Sequence, residues 1–167
     1  MDAIMKRRST RKFADRSVEP EKIESLLRAA MQSPTGHNAQ DWEFIVITDG
    51  EMREKVSRMS EFSVCAKNAP LLIITLANLD RAVKEEPLWV CDMGAVCQTI
   101  LIQVEEEGLG ATWLACYPHE PRMEYLKKLL ALPDNIVPYS VMAIGYKQYV
   151  KNPEDRYDVN KIHWEKF

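Results

Sequence analysis

The 167-residue chain reads as an α+β domain. Four short runs rich in apolar and β-branched residues are bounded by turn formers, and between them lie segments whose apolar residues recur every three or four positions. A composition that is 46% hydrophobic and 28% charged suits one globular domain able to bury a core, so residues 1–167 are expected to form a single domain.

The elements follow in order. Ile4, Met5 and the basic residues after them read as a short N-terminal helix that stops near Ser9 or Thr10. A second helix begins after Ser17, with Ser17 or Glu19 as cap, Pro20 in the first turn and Glu21 and Glu24 near the positive end of its dipole. Ile23, Leu26, Leu27, Ala30 and Met31 give it one apolar face, and Ser33-Pro34 ends it. Trp42 to Thr48 is a strand closed by Asp49-Gly50, followed by a helix from about Glu51 to Ser60. Leu71 to Ala77 is apolar without alternation, the pattern of a strand covered on both faces. The longest regular segment, residues 88–107, is a helix apolar nearly all round, from the stripe Trp89, Met93, Val96, Ile100 and Val104 to Val90, Cys97 and Leu101 opposite. Such a helix needs cover on every side, from a second subunit or from a central place in a monomeric core. Gly108-Leu109-Gly110 ends it and starts a strand, Ala111 to Cys116; Pro121 to Leu130 is a helix, and Ser140 to Ile144 a last strand. The charged remainder, Lys147 to Phe167, would gain little by folding on itself and is expected to lie over another surface, such as a partner subunit.

Net charge −3 gives no overall bias toward nucleic acid or an anionic membrane. Asp92, Gln98 and Gln103 interrupt the most apolar stretch, which falls short of the roughly 20 residues a membrane span requires. Cys65, Cys91, Cys97 and Cys116 form no Cys-x-x-Cys pair and have no histidines at zinc spacing, so no metal is expected and the thiols are expected to be buried and free. No apolar leader follows the first basic residues, and the expected setting is the reducing cytoplasm.

Lys6, Arg7, Arg8, Arg11, Lys12 and Arg16 nevertheless make a basic patch on this acidic chain. By charge alone it is a solvated helix end or a nucleic-acid tail. Arginine forks and the Ser9 hydroxyl also suit an anion such as phosphate. Residues 33–42, Ser-Pro-Thr-Gly-His-Asn-Ala-Gln-Asp-Trp, are by themselves an ordinary helix-to-strand turn. Gly94 and Ala95 would let another helix or a cofactor come close, and Gly108 and Gly110 serve as a helix cap and turn or as a point of close approach.

Taken together and in this order, Arg-Arg-Ser-x-Arg-x-Phe at residues 7–13, the 33–42 loop, Asp92-Met93-Gly94-Ala95 and Gly-Leu-Gly-Ala-Thr-Trp at 108–113 resemble the nitroreductase family over nearly the whole chain. Two departures stand in the loop: Thr35 where serine is usual, and Asp41 where a proline often precedes the tryptophan. The resemblance implies a nitroreductase-like fold, with a central mainly antiparallel sheet flanked by helices and a C-terminal tail swapped between the subunits of a homodimer. It further implies FMN at the subunit interface and NAD(P)H as electron donor. The flavin contacts carry over to Arg7, Arg8, Ser9 and Arg11, to Pro34, Thr35 and Asn38, which in the family commonly come from the other subunit, to Gly110, Ala111 and Thr112, and to Arg156, with Lys147 or Lys151 behind it. Lys67 and Asn68 are further possible donors to the ring. No protein residue is assigned as catalytic, since the flavin would carry the chemistry; His37 is a titratable neighbour of the proposed ring and otherwise a polar loop residue.

The implied activity is ping-pong reduction of a small acceptor, such as a nitroaromatic or a quinone. A non-catalytic flavin carrier or sensor, or a specialised dehalogenase-type or flavin-cleaving member of the same fold, are the alternatives. No Gly-x-Gly-x-x-Gly fingerprint supports a separate dinucleotide domain.

Overall fold

Five helices and four strands alternate along the described residues, 2–167 of the computed structural model. They are α1 (Asp2–Lys6), α2 (Pro20–Ala30), β1 (Trp42–Ile47), α3 (Gly50–Ser57), β2 (Leu71–Asn78), α4 (Trp89–Glu106), β3 (Gly110–Ala115), α5 (Glu120–Leu130) and β4 (Ile136–Gly145). The strands form one antiparallel sheet in the order β1-β2-β4-β3. Every predicted strand is present.

β2 shows why an apolar run without alternation belongs in the middle of a sandwich. Leu71, Ile73 and Ala77 pack with α2 and α4 on one face, while Leu72, Ile74 and Leu76 pack with α3 and α5 on the other. All seven residues from Leu71 to Ala77 are buried, which makes this strand the spine of a three-layer α+β arrangement. The one polar member, Thr75, is satisfied by the Ser140 hydroxyl at 2.9 Å, and Cys97 Sγ lies 3.2 Å from the same hydroxyl. Burial pushes the Cys97 thiol up to about 11.

Four local findings refine the sequence reading. Glu19 occupies the cap of α2, with Pro20 in the first turn. Asp49 does more than close β1: its side chain accepts the Met52 N–H at 2.8 Å and caps α3. Residues Glu61–Asn68, unassigned from sequence, wind as a 3₁₀ segment against α3. β4 begins at Ile136, four residues before the expected Ser140, because Pro138 is accommodated where the register shifts opposite Thr75 and Leu76.

α4 is buried along Asp92, Met93, Val96, Cys97, Ile100, Leu101 and Val104, but Cys91 and Gln98 on its other side are exposed. The chain therefore covers one face of this helix and leaves the other open. Gly108 ends it at φ 72, with the Leu109 N–H returning to the Val104 carbonyl. The expectation of buried thiols holds for Cys97 and Cys116; Cys65 is half-buried at the margin of the core, and Cys91 is exposed on the outer side of α4. No helix among the described residues is long and apolar enough to cross a membrane. From Gln148 to Phe167 the chain is an extended arm, exposed everywhere except at Asp158.

Candidate functional site

After α1 the chain leaves the helix and runs along the free edge of β3. Ser9 bridges Ala111, the Thr10 N–H donates to the Ala111 carbonyl at 2.8 Å, and Phe13 bridges Lys147. Buried Phe13 anchors this segment, so the arginines around it are held on an ordered backbone. Gly110 is what allows the approach: a Cβ there would sit 2.5 Å from Thr10 Oγ1 and 2.7 Å from Lys147 Cγ. Gly110, Ala111 and Thr112 are thus buried beneath the chain's own N-terminal segment rather than opening onto a cleft.

The arm then returns over the same place. Arg8 Nη1 donates to the Asn152 carbonyl at 3.0 Å and lies 3.2 Å from Glu154, whose carboxylate also pairs with Arg156 at 3.0 Å. Lys151 Nζ reaches the Ser9 carbonyl at 3.3 Å. The Arg156 hydrogen bond, then the charges of Arg156 and Arg8, holds the Glu154 carboxyl below its usual range. Residues from the two ends of the chain are thus brought together: Arg8 and Arg156 share Glu154, and Lys151 meets Ser9. Lys147, by contrast, is neutralised by Glu105 at 2.6 Å.

Arg11 stands between two open clefts. One is polar and cationic, lined by Arg11, Lys12, Asp15, Arg53, Lys67 and Asn68; the other is largely apolar, with Phe62, Trp113, Leu114 and Ala115 between Arg11 and Arg122. Arg53 shapes the first by donating to the Lys67 and Ala69 carbonyls at 3.1 and 2.7 Å. Arg122 borders the second, bonded to the Ala115 carbonyl at 2.8 Å and lying over the Phe62 ring. Sequence reasoning missed Phe62, Arg122 and Trp113 to Ala115. The exposure of Phe62, at 67%, marks it as an aromatic that the core does not use. A cationic, donor-rich groove beside one that offers Phe62 and Trp113 has the chemistry to hold a phosphorylated planar cofactor.

The 33–42 loop is elsewhere. Ser33 Oγ bonds Thr99 at 2.9 Å near the middle of α4, and the Gly36 N–H donates to Asp92 Oδ1 at 2.9 Å in its first turn, tying the loop to that helix. Thr35 Oγ1 accepts the Gln40 N–H at 3.1 Å. His37, Asn38 and Gln40 all take left-handed backbone, with φ of 53, 55 and 49, which costs such residues about 1–2 kcal/mol each. Pro34, His37 and Asn38 are exposed. Arg8 lines a pocket with Glu105 and Lys147, at the far end of α4. Thirteen residues of helix separate Asp92 from Glu105, about 20 Å at 1.5 Å per residue. Within one chain, Pro34, Thr35 and Asn38 do not meet the arginines.

The Nitroreductase family profile matches residues 4–64 and 63–146. The chain belongs to this family. A relative from Archaeoglobus fulgidus, provisionally named as an NADH dehydrogenase/NAD(P)H nitroreductase, is 38% identical over 98% of this chain and 96% of its own. Among solved structures, a protein from Clostridium acetobutylicum provisionally named as an NADH oxidase is 42% identical, with a TM-score of 0.96 over 99% of this chain and all of its own. An FMN-dependent nitroreductase from Clostridium difficile is 29% identical, with a TM-score of 0.92 and full coverage of both chains. The implied nitroreductase-like α+β fold with its antiparallel sheet is therefore the fold of this protein. The family profile ends at Tyr146, where the exposed arm is about to begin.

Proposed function

We propose that the protein is an FMN-dependent oxidoreductase that takes electrons from NAD(P)H and passes them to a small acceptor such as a nitroaromatic or a quinone. Its family, the names of its whole-length relatives and the donor chemistry of the clefts support the reading. The observation that carries it is the meeting of Arg8 and Arg156 at Glu154, with Lys151 on the Ser9 carbonyl, a cationic cradle assembled from both ends of the chain. Arg7, Arg8, Ser9 and Arg11 would hold the phosphate and ribityl chain, with Arg156 released from Glu154 to join them. Gly110, Ala111 and Thr112 back the segment that carries Ser9. The chemistry FMN supplies when bound is hydride transfer, while these residues supply orientation, charge and exclusion of water. With both half-reactions in one open cleft, the cycle is ping-pong.

The working unit is a homodimer. Pro34, Thr35 and Asn38 lie near the start of α4 and the arginines near its end, so an antiparallel pairing of the open α4 faces of two copies brings one copy's loop to the other's cradle. The exposed arm, with Tyr157, Val159, Ile162, Trp164 and Phe167, would lie over the second copy. A reducing compartment such as the cytoplasm suits four free thiols.

The test is an absorption spectrum of the purified protein, followed by anaerobic addition of NADH and of NADPH. A flavin band bleached much faster than free FMN is expected. A flavin band bleached no faster than free FMN would make the protein a carrier or sensor, and a colourless preparation that FMN cannot reconstitute would overturn the flavin reading.

A further inference from the structure

The cationic one of the two clefts at Arg11 holds more positive charge than the flavin contacts use. Most basic side chains of the described residues find an acid or a carbonyl: Arg8 has Glu154, Arg16 has Glu19, Arg81 has Glu43 and Lys147 has Glu105. Around this cleft of about 600 Å³ they do not. The side chains of Arg11, Lys12 and Lys67 make no hydrogen bond or ion pair among the described residues, and Arg53 donates to two carbonyls without meeting a carboxylate. The lining carries a single acid, Asp15, which pairs with none of them, and Asn68 and Gln148 add amide groups. Both walls stand on ordered backbone. On one, the Ala14 N–H donates to the Tyr146 carbonyl at 2.9 Å and the Gln148 N–H to the Lys12 carbonyl at 3.3 Å, with Phe13 buried between them. On the other, the two bonds from Arg53 pin the turn that carries Lys67 and Asn68. No residue of this lining also lines the pocket of Arg8 and Lys151, so the chain has a second cationic place. A concave site lined by one sign of charge gathers anions.

We propose that this cleft binds the 2′-phosphate of NADPH, and that Lys12 and Lys67 set NADPH above NADH as the electron donor. A phosphate monoester carries a charge of about −1.5 to −2 near neutral pH and three strong acceptor oxygens. The Arg11 fork and ammonium groups from two walls can share those oxygens, whereas a phosphodiester has less charge and fewer free oxygens to offer them. The identity of the ligand rests on the NAD(P)H reading of the proposed function. That reading brings the donor to the cleft that holds the flavin, and Arg11 borders both clefts. The 2′-phosphate is the group that NADPH has and NADH lacks, and the FMN phosphate is provided for elsewhere, at Arg8 and Arg156. Lys67 and Asn68, which line the cationic cleft and not the apolar one, then serve the donor nucleotide rather than the flavin ring.

The experiment titrates the full-length protein calorimetrically with 2′,5′-ADP, 3′,5′-ADP and 5′-AMP. The first carries the 2′-phosphate of NADPH, the second places the same charge on the neighbouring hydroxyl, and the third lacks the added phosphate. The 2′,5′ isomer is expected to bind at least about tenfold more tightly than 5′-AMP, the worth of one charge-assisted contact, and more tightly than the 3′,5′ isomer. Lys12→Gln and Lys67→Gln should each remove about threefold or more of the preference over 5′-AMP. Both side chains are exposed and unpaired among the described residues, so the variants should melt as the wild type does. In the flavin-loaded protein, the ratio of kcat/KM for NADPH to that for NADH should fall by the same factor. Equal affinity for 2′,5′-ADP and 5′-AMP, equal affinity for the two isomers, or variants that keep the full preference would overturn the proposal. So would a Lys67→Gln protein that loses FMN affinity and keeps its 2′,5′-ADP binding, because Lys67 would then serve the ring. A colourless preparation bears on the flavin reading alone, since the nucleotide titrations need no flavin and still decide this question.

Discussion

From Leu71 to Ala77 every residue of β2 is buried, while from Gln148 to Phe167 every residue but Asp158 is exposed. The strand contributes apolar side chains to both faces of the sheet and finds all its partners inside the chain. The arm carries comparable aromatic and aliphatic groups, with Trp164 80% exposed and Val150 81% exposed, and finds almost none. Its ties to the body are polar, from the Gln148 N–H on the Lys12 carbonyl to the contacts of Asn152 and Glu154 with Arg8 and of Lys151 with Ser9. The contrast separates what makes this chain fold from what makes it work. The sheet and its helices are self-sufficient, whereas the arm and the open face of α4 have surfaces for which the chain itself provides no cover.

The largest effect should come from damaging the self-sufficient part. Ile74→Ala, which opens a hole between β2 and the α3 and α5 layer, is expected to lower unfolding free energy by about 2–5 kcal/mol in urea titration. A loss under 1 kcal/mol would mean that this layer is less closely packed than the burial of Ile74 indicates. Arg8→Ala tests the junction of the two regions. Removing a charged donor should weaken FMN binding by at least about tenfold in fluorescence titration, while the urea midpoint barely moves. Unchanged affinity would remove Arg8 from the cradle.

Ending the chain after Gln148 sharpens the comparison further. Exposed ion pairs contribute about 0–1 kcal/mol, so the stability of the chain should change by no more than that, while sedimentation should show the population of the proposed dimer falling. A truncated chain that no longer folds would show that the arm supports the core directly. The smallest effect is expected at Glu19, which accepts the Tyr146 hydroxyl at 2.7 Å beside Arg16. The Tyr146 hydrogen bond, with Glu19's own backbone and Arg16, holds this carboxyl down at about 2. A depressed acid gives stability that is present above its usual 4.5 and is lost as pH falls through about 2. The melting-temperature gap between wild type and Glu19→Gln should therefore narrow from pH 5 to pH 2, and a constant gap would contradict the assignment.

Much of this was legible in the sequence, for identifiable reasons. Strands show as runs of β-branched and apolar residues, and the unalternating β2 run correctly implied cover on both faces. The start of β4 was not legible, because Pro138 reads as a strand breaker until the bulge opposite Thr75 and Leu76 is seen. The arginine cluster and the 33–42 loop were both visible as motifs, yet nothing local told how far apart they lie. Asp41 was visible as a departure from the family pattern, but its complete burial was not, since that depends on what packs over it.

By itself, then, the sequence determined the order and type of the elements, the double-sided burial of β2 and the cluster of arginines that the proposed cradle draws on. These are properties of neighbours along the chain, set by side-chain periodicity, capping and charge density. Tertiary packing alone decided that Gly110 admits Thr10 and Lys147, that Arg8 and Arg156 share Glu154, and that the two halves of the proposed site stand at opposite ends of α4. Such relations arise from how helices and strands settle against one another over long sequence separations, and no local pattern encodes that distance.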